Sequence, residues 1–284
     1  MTAEDVLAVV VSYNGLEKTG QTVDALRGQV GHVVIVDNGS LPESLAVLQS
    51  LAREPGITLE RLGENLGVGH ALNLGVRRAR QMGYAWLLTM DQDSVVDGSM
   101  IQAYQAAVER DPGRVCLAPR IADNGARRQA TGGVIRYAIT SGNLVRVSLF
   151  DEIGLYDEGF FIDCIDFDFS LRLRRAGYSL YRVPDAVMRH QLGEAVNVPG
   201  LLRGYYALHS PTRRYYMYRN FMYMVERYWR DFPMFIGKLT LTQILLTLLI
   251  GFLDPRPLES YRAIVRGIRD YLARRDGPYV ERAR

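Results

Sequence analysis

Short apolar runs that end in polar residues recur along the first hundred positions of the chain. "VLAVVVSYNG" (6–15) is a β-branched run closing on turn formers, the pattern of a buried strand. A helical stretch to about Arg27 separates it from "HVVIVDNGS" (32–40), which repeats the pattern. Pro42 opens a second helix, "PESLAVLQSLARE", at the first-turn position where a missing N–H leaves no bond unmade. "ITLERL" reads as a third strand, "GHALNLGVRRARQMG" as a third helix stopped by Gly83, and "YAWLLTM" as a fourth strand. Strands alternating with helices predict an α/β fold with a mostly parallel sheet covered on both faces. In such sheets ligands gather beyond the carboxyl ends of the strands. The polar ends Ser12–Asn14, Asp37–Ser40 and Asp91–Ser94 are therefore expected along one edge.

Beyond Pro112 the alternation weakens. "VCLAPRI", "GGVIRYA" and "GNLVRVSLF" read as shorter strands, "DFDFSLRLRRAG" (166–177) as a helix ended by Gly177, and "YSLYRVP" as a strand closed by Pro184. After about Gly200 the texture changes again. "RRYYMYRNFMYMVERYWR" (213–230) sets aromatic, Met and Arg residues at helical spacing, "LTLTQILLTLLIGFL" (239–253) is uncharged, and "ESYRAIVRGIRDYLARR" (259–275) is a basic amphipathic helix. The organisation expected is an α/β domain over 1–200, in two halves (1–112 and 113–200), followed by a helical extension over 201–284. The uncharged stretch alone falls short of the roughly 20 residues of a spanning helix. An interfacial membrane surface, a homodimer contact and packing on the catalytic domain are the three uses its helices suggest.

Composition narrows the class. Apolar residues at 48% and charged residues at 23% exclude a largely disordered chain, and a formal net charge of +3 gives no footprint for nucleic acid. Cys116 and Cys164 form neither a disulfide framework nor a C-x-x-C metal pair. The amino terminus carries acidic residues where a signal peptide needs basic ones, so a cytoplasmic protein is expected.

Against that background the carboxylates stand out. In an extended segment residues i and i+2 point the same way, so Asp91 and Asp93 can present two hard oxygen ligands to one Mg²⁺ or Mn²⁺. An aspartate turn at a strand end is the bland alternative. Asp37 in "VDNGS" can accept the N3–H of a pyrimidine base, or simply close an Asx turn beside Gly39. "ENLGVGHALN" (64–73) sets Asn65, Gly67 and Gly69 ahead of a helix, whose amino end attracts phosphate or polar groups. It is not a dinucleotide fingerprint, because Leu72 replaces the third glycine and the motif follows the third strand. "FFIDCIDFDF" (160–169) crowds Asp163, Asp166 and Asp168 together, which suits either a general base or helix capping. His190 in "MRHQLG" follows a predicted strand and is a candidate ligand or a structural histidine.

Taken in order, "VVVSYN", "VIVDNGS", "ENLGVGHALNLG", "LLTMDQDS", "GLYDEGFFIDCIDFDFSLRLRRAG" and "RRYYMYRN" resemble the family 2 glycosyltransferases of the GT-A fold, and more narrowly bacterial rhamnosyltransferases. The resemblance covers roughly residues 5 to 230. It implies a Rossmann-like mixed sheet flanked by helices, with a C-terminal helical extension. It also implies metal-dependent, inverting transfer of L-rhamnose from dTDP-L-rhamnose to a saccharide or lipid-linked acceptor. The setting would be bacterial cell-surface polysaccharide synthesis (O-antigen or cell wall), in the cytoplasm or peripherally on the inner face of the plasma membrane.

The roles implied are specific. Asp37 would bind the base with Asn65 nearby, and Ser12, Tyr13, Asn14, Gly67, Asp91 and Gln92 would line the nucleotide-sugar site. Asp91, Asp93 and His190 would hold the metal, and Asp166 would be the catalytic base. Many relatives carry Glu-Asp where this chain has Ile165-Asp166, which leaves Asp163 and Asp168 as alternatives for the base. The rival readings are a non-catalytic nucleotide-sugar-binding or scaffold protein, a transferase using a different nucleotide sugar, and a nucleotidyltransferase. The last would need a Gly-rich phosphate loop after the first strand, and "VSYNGLEKTG" is a poor one.

Overall fold

The computed structural model describes residues 1–122, 131–190, 195–198, 204–207 and 209–280. They form two compact units: Met1–Glu158 with Ile165–Gln191, and Gly159–Cys164 with Leu192–Arg284. The expected boundary at residue 200 lies outside the described residues.

The first unit is built on a nine-stranded mixed sheet. Strands β1 (Val6–Ser12), β2 (His32–Asp37), β3 (Ile57–Arg61) and β4 (Trp86–Asp91) run parallel in the order β3-β2-β1-β4, with α1 (Glu17–Leu26), α2 (Pro42–Leu51) and α3 (Val68–Gln81) as the connecting helices. Every residue of β1 is buried, as a central strand covered on both faces requires. The core beneath it gathers Val6, Ala8, Val10, Ile35, Leu88 and Met90. Register fixes the edge: Ser12 pairs with Asp37 and Val11 with Asp91, so the polar strand ends emerge together, as the sequence pattern predicts.

The second half of the sheet departs from that pattern. Residues 94–110 hold a short strand, β5 (Ser94–Val96), and a helix, α4 (Met100–Arg110), that the hydrophobic pattern does not announce. Three strands follow, β6 (Cys116–Ala122), β7 (Gly133–Ile135) and β8 (Asn143–Arg146), then two helices, α5 (Leu149–Ile153) and α6 (Ile165–Arg175), and a last strand, β9 (Leu180–His190). The strand expected to close at Pro184 thus continues six residues further. Proline removes a ladder donor, and the sheet absorbs it as a bulge: Pro119 pairs with Val183 but Arg120 with Val187. The Arg120 Nε donates to the Pro184 carbonyl across the bulge at 3.1 Å. Beyond it β9 pairs antiparallel with β5, setting His190 opposite Ser94.

The second unit holds a two-stranded ribbon, β10 (Ala195–Val198) with β11 (Gly204–Ala207), and three helices: α7 (Pro211–Tyr228), α8 (Pro233–Leu253) and α9 (Pro257–Leu272). Its organising contacts are polar. Arg214 and Asp254, both buried, pair at 2.8 Å, and Arg219 and Asn220, also buried, donate to the carbonyls of the 159–163 segment. That segment bends through positive φ at Phe161 and Asp163, a conformation costly for side-chain-bearing residues unless the surroundings hold it. The helix expected over 239–253 begins at Pro233 and reaches 21 residues, long and apolar enough by length and composition to cross a membrane.

Candidate metal and nucleotide-sugar site

The carboxyl edge of the parallel strands is a rim of loops bonded to one another. The loop after β1 is tied to two neighbours. Asn14 Oδ1 accepts the Leu41 N–H at 2.8 Å, and the Tyr13 N–H donates to Gln92 Oε1 at 2.8 Å. The Ser12 hydroxyl lies 2.9 Å from Thr19 Oγ1 and is buried. At the end of β2, Asp37 Oδ1 accepts the Ser40 N–H at 3.0 Å, closing the Asx turn. Gly39 follows at φ +82°, and a Cβ there would meet the Glu64 carbonyl carbon at 2.4 Å. Only glycine lets this turn press on the "ENLG" loop. Asn38 and Asn65 then lock the two loops: Asn38 Nδ2 donates to Asn65 Oδ1 (3.1 Å), Asn38 Oδ1 accepts Leu66 N–H (2.9 Å), and Asn65 Oδ1 also accepts Gly67 N–H (3.0 Å). Ser12, Asn14, Asn65 and Gln92 therefore spend hydrogen bonds on the frame itself, while the Tyr13 ring is exposed on it.

At the end of β4 the chain places Asp91 and Asp93 beside His190. One ligand atom from each of the three lies within 4.8 Å of the others, and all three residues are half-buried. His190 comes from the far end of the sheet, delivered by the β5–β9 pairing. A chain of hydroxyls fixes this corner. The Asp91 N–H donates to Ser141 Oγ at 3.0 Å, Ser141 donates to Ser94 Oγ at 2.7 Å, and Ser94 Oγ lies 2.8 Å from His190 Nδ1. Ser141 is held by its neighbour Gly142, at φ +82°, where a Cβ would meet Pro119 Cγ at 2.6 Å. His190 Nδ1, the ring nitrogen beside Ser94, also lies 3.6 Å from Asp93 Oδ1, so the serine fixes the ring where it meets the carboxylates. Two carboxylates and an imidazole form a donor set suited to a divalent ion.

The remaining acids divide. Asp166 lies in the first turn of α6, and its Oδ1 accepts the Phe167 N–H at 2.9 Å. Asp168, in the same first turn, is buried and ion-paired with Arg172 at 2.8 Å, and Arg172 also donates to the Ile153 carbonyl at 2.5 Å. Asp163 belongs to the second unit, where Arg213 pairs with it at 3.0 Å. Asn38, Ser94 and Ser141 frame the site without being singled out by residue type or motif, because their partners lie 27 to 96 positions away.

Comparison with known proteins bears on the family and the fold. The model of the family "Glycosyl transferase family 2" matches residues 7–161. The chain is 28% identical over 273 residues to the dTDP-rhamnosyl transferase RfbF of Shigella flexneri, covering 87% of this chain and 88% of that one. It is 27% identical over 254 residues to the galactofuranosyltransferase GlfT1 of Mycobacterium tuberculosis, covering 79% and 83%. Among solved structures, GalNAc-T7 with UDP, GalNAc and Mn²⁺ superposes with a TM-score of 0.63 at 17% identity, over 81% of this chain and 49% of that one. TarS 1–349 of S. aureus, in complex with UDP-GlcNAc, gives 0.57 at 14% identity over 97% and 74%. The last two likenesses bear on the fold, which is that of the GT-A enzymes.

Proposed function

From the premise that the chain belongs to glycosyl transferase family 2, we propose that it is a metal-dependent, inverting rhamnosyltransferase that takes L-rhamnose from dTDP-L-rhamnose. The observation that carries the reading is the convergence of Asp91, Asp93 and His190 at the carboxyl end of β4, on the rim of loops that closes the parallel strands. The similarity to RfbF along nearly the whole chain supports the sugar.

In this reading Asp37 and Asn65 face the base, and the Tyr13 ring and the loops at Ser12–Asn14, Gly67 and Gln92 wall the nucleotide. Asp91, Asp93 and His190 would hold Mg²⁺ or Mn²⁺, which supplies positive charge against the departing diphosphate. Asp166 takes the proton from the acceptor hydroxyl as its oxygen bonds to C1 and the C1–O bond to the diphosphate breaks, a single displacement that inverts the anomeric centre. Asp166 is favoured over Asp168 as base because the Asp168 carboxylate is buried against Arg172. The acceptor is a saccharide or lipid-linked sugar, met on the cytoplasmic side of the membrane during cell-surface polysaccharide synthesis.

The relation to GlfT1 favours one second reading, the same chemistry with a different nucleotide sugar. Thermal-shift ranking of nucleotide sugars with Mn²⁺ separates the two, since the tightest ligand gives the largest rise in melting temperature. The largest shift is expected with dTDP-L-rhamnose; a larger shift with UDP-galactofuranose replaces the donor, and no metal-dependent shift with any nucleotide sugar removes the reading.

A further inference from the structure

Helix α8 has two faces that differ in company rather than in polarity. Ile236, Gln243, Thr247 and Ile250 recur at the spacing of one helix face and turn toward α7 and α9. Ile236 and Ile250 are buried, and Ile250 packs with Tyr218 and Ile264. The Tyr218 hydroxyl donates to the Gln243 carbonyl at 3.1 Å, and the Tyr261 hydroxyl to the Thr247 carbonyl at 3.0 Å. The opposite stripe is Met234, Lys238, Leu241, Leu245, Leu248 and Phe252. It is open: Met234 is 82% exposed, Leu241 58%, Leu248 61% and Phe252 85%. Only 11% of the helix's apolar window is buried. A helix apolar on all sides is ordinarily a core helix or one set in lipid, and this one is not in a core.

Its threonines are arranged for a dry setting. The hydroxyls of Thr240, Thr242 and Thr247 each donate to the carbonyl four residues back, at 2.8, 3.0 and 2.6 Å, so none depends on water. The next helix supplies the charge. On α9 an exposed stripe alternates apolar residues with cations: Leu258, Arg262, Val265, Arg269 and Leu272. Residues 209–280 carry twelve Lys and Arg against six Asp and Glu, although the whole chain is only +3. The positive excess is therefore concentrated in this region, and the rest of the chain is net acidic. Apolar side chains beside arginines whose stems can lie along hydrocarbon are the pattern of a helix seated at an anionic lipid surface.

We propose that α8 and α9 dock the protein on an anionic phospholipid bilayer, α8 lying in the plane of the membrane with its Met234–Phe252 stripe in the acyl boundary. A crossing orientation is disfavoured, because the Ile236–Ile250 face is already held by α7 and α9 and Lys238 sits within the outward stripe. A second copy of the chain would cover the apolar stripe but would set the arginines of two α9 helices against their own kind.

The test is sedimentation of the full chain with phosphatidylcholine vesicles, with and without phosphatidylglycerol. The wild type is expected to partition onto the anionic vesicles at least tenfold better than onto neutral ones (about 1 kcal/mol for each cation near the surface). Leu241→Glu with Leu248→Glu is expected to lose binding to both by about tenfold or more. Arg262→Glu with Arg269→Glu is expected to lose only the preference for phosphatidylglycerol. All four positions are exposed, and an unchanged melting temperature confirms each fold. Binding by neither vesicle, binding indifferent to both pairs of changes, or a stable dimer in solution dissociated by the leucine changes would overturn the proposal.

Discussion

The edge of the parallel sheet and helix α8 are opposite exceptions to the same rule. At the end of β4, carboxylates and an imidazole gather on a frame whose own amides and hydroxyls are hydrogen-bonded to one another, above an apolar sheet. On α8, apolar side chains stand open in a unit otherwise organised by arginine pairs and tyrosine hydroxyls. Carboxylates brought together at a strand end suit a cation, whereas apolar groups left in water suit a surface that carries none. The two exceptions therefore point to two kinds of ligand, a metal nucleotide and a lipid surface.

The largest effect is expected at the proposed catalytic base, Asp166 in the first turn of α6. Asp166→Asn should lower sugar transfer by about 10²–10⁴-fold, the ordinary contribution of a general base, while donor affinity stays near that of the wild type. Turnover comparable to wild type would move the base elsewhere.

Breaking the polar framework of the second unit comes next. Asp254→Asn strips the buried Arg214 of its counter-charge, and loss of one partner of a buried pair costs about 3–5 kcal/mol. Urea unfolding of the full chain measures it, and a change below about 1 kcal/mol would show the pair to be dispensable.

A smaller effect tests the hydroxyl chain. Ser94→Ala removes the oxygen 2.8 Å from His190 Nδ1 and should weaken Mn²⁺ affinity about 10–100-fold, the usual toll of an outer-shell loss, with little change in melting temperature of the metal-free protein. An unchanged affinity would mean that the histidine is oriented by something other than this serine.

The smallest effect is a shared response to acid. Burial pushes the Asp254 carboxyl up, but the Arg256 N–H, the Ser260 hydroxyl and the Arg214 guanidinium outweigh it and hold the pKa below the usual value. In the first unit burial likewise raises Glu158, and the hydrogen bonds from Asn73 and His70 more than offset it. Both folded pKa values lie below the unfolded ones. The stability they contribute is therefore complete above the ordinary carboxylate pKa and is lost as pH falls through the folded values. Melting temperatures recorded at falling pH should show the loss beginning below about pH 4.5, and its slope should ease in Asp254→Asn.

Much of the first exception is legible in the amino-acid sequence. Strand ends can be read because β-branched runs stop abruptly at Ser12, Asp37 and Asp91, and parallel register then carries them to one edge. From residue type and local pattern His190 is legible as a candidate ligand but not as a neighbour, and only the family resemblance sets it with Asp91 and Asp93. Its place depends on β9 running through Pro184, which a bulge permits and local propensity forbids. Asn38 and Ser94 lie inside the polar strand ends, yet their roles and that of Ser141 are hidden, since a serine or asparagine is framed by partners that only tertiary pairing supplies. The openness of the α8 stripe is equally hidden, because an uncharged run reads the same whether another helix covers it or none does.

Asp91, Asp93 and His190 are proposed to form a metal site for a nucleoside diphosphate sugar. Calorimetric titration of dTDP-L-rhamnose into the protein, with Mn²⁺ and with EDTA, tests it most directly when repeated on Asp93→Asn. Metal-dependent binding is expected in the wild type, with the dependence lost in the variant; binding of equal strength in all four titrations would contradict the claim.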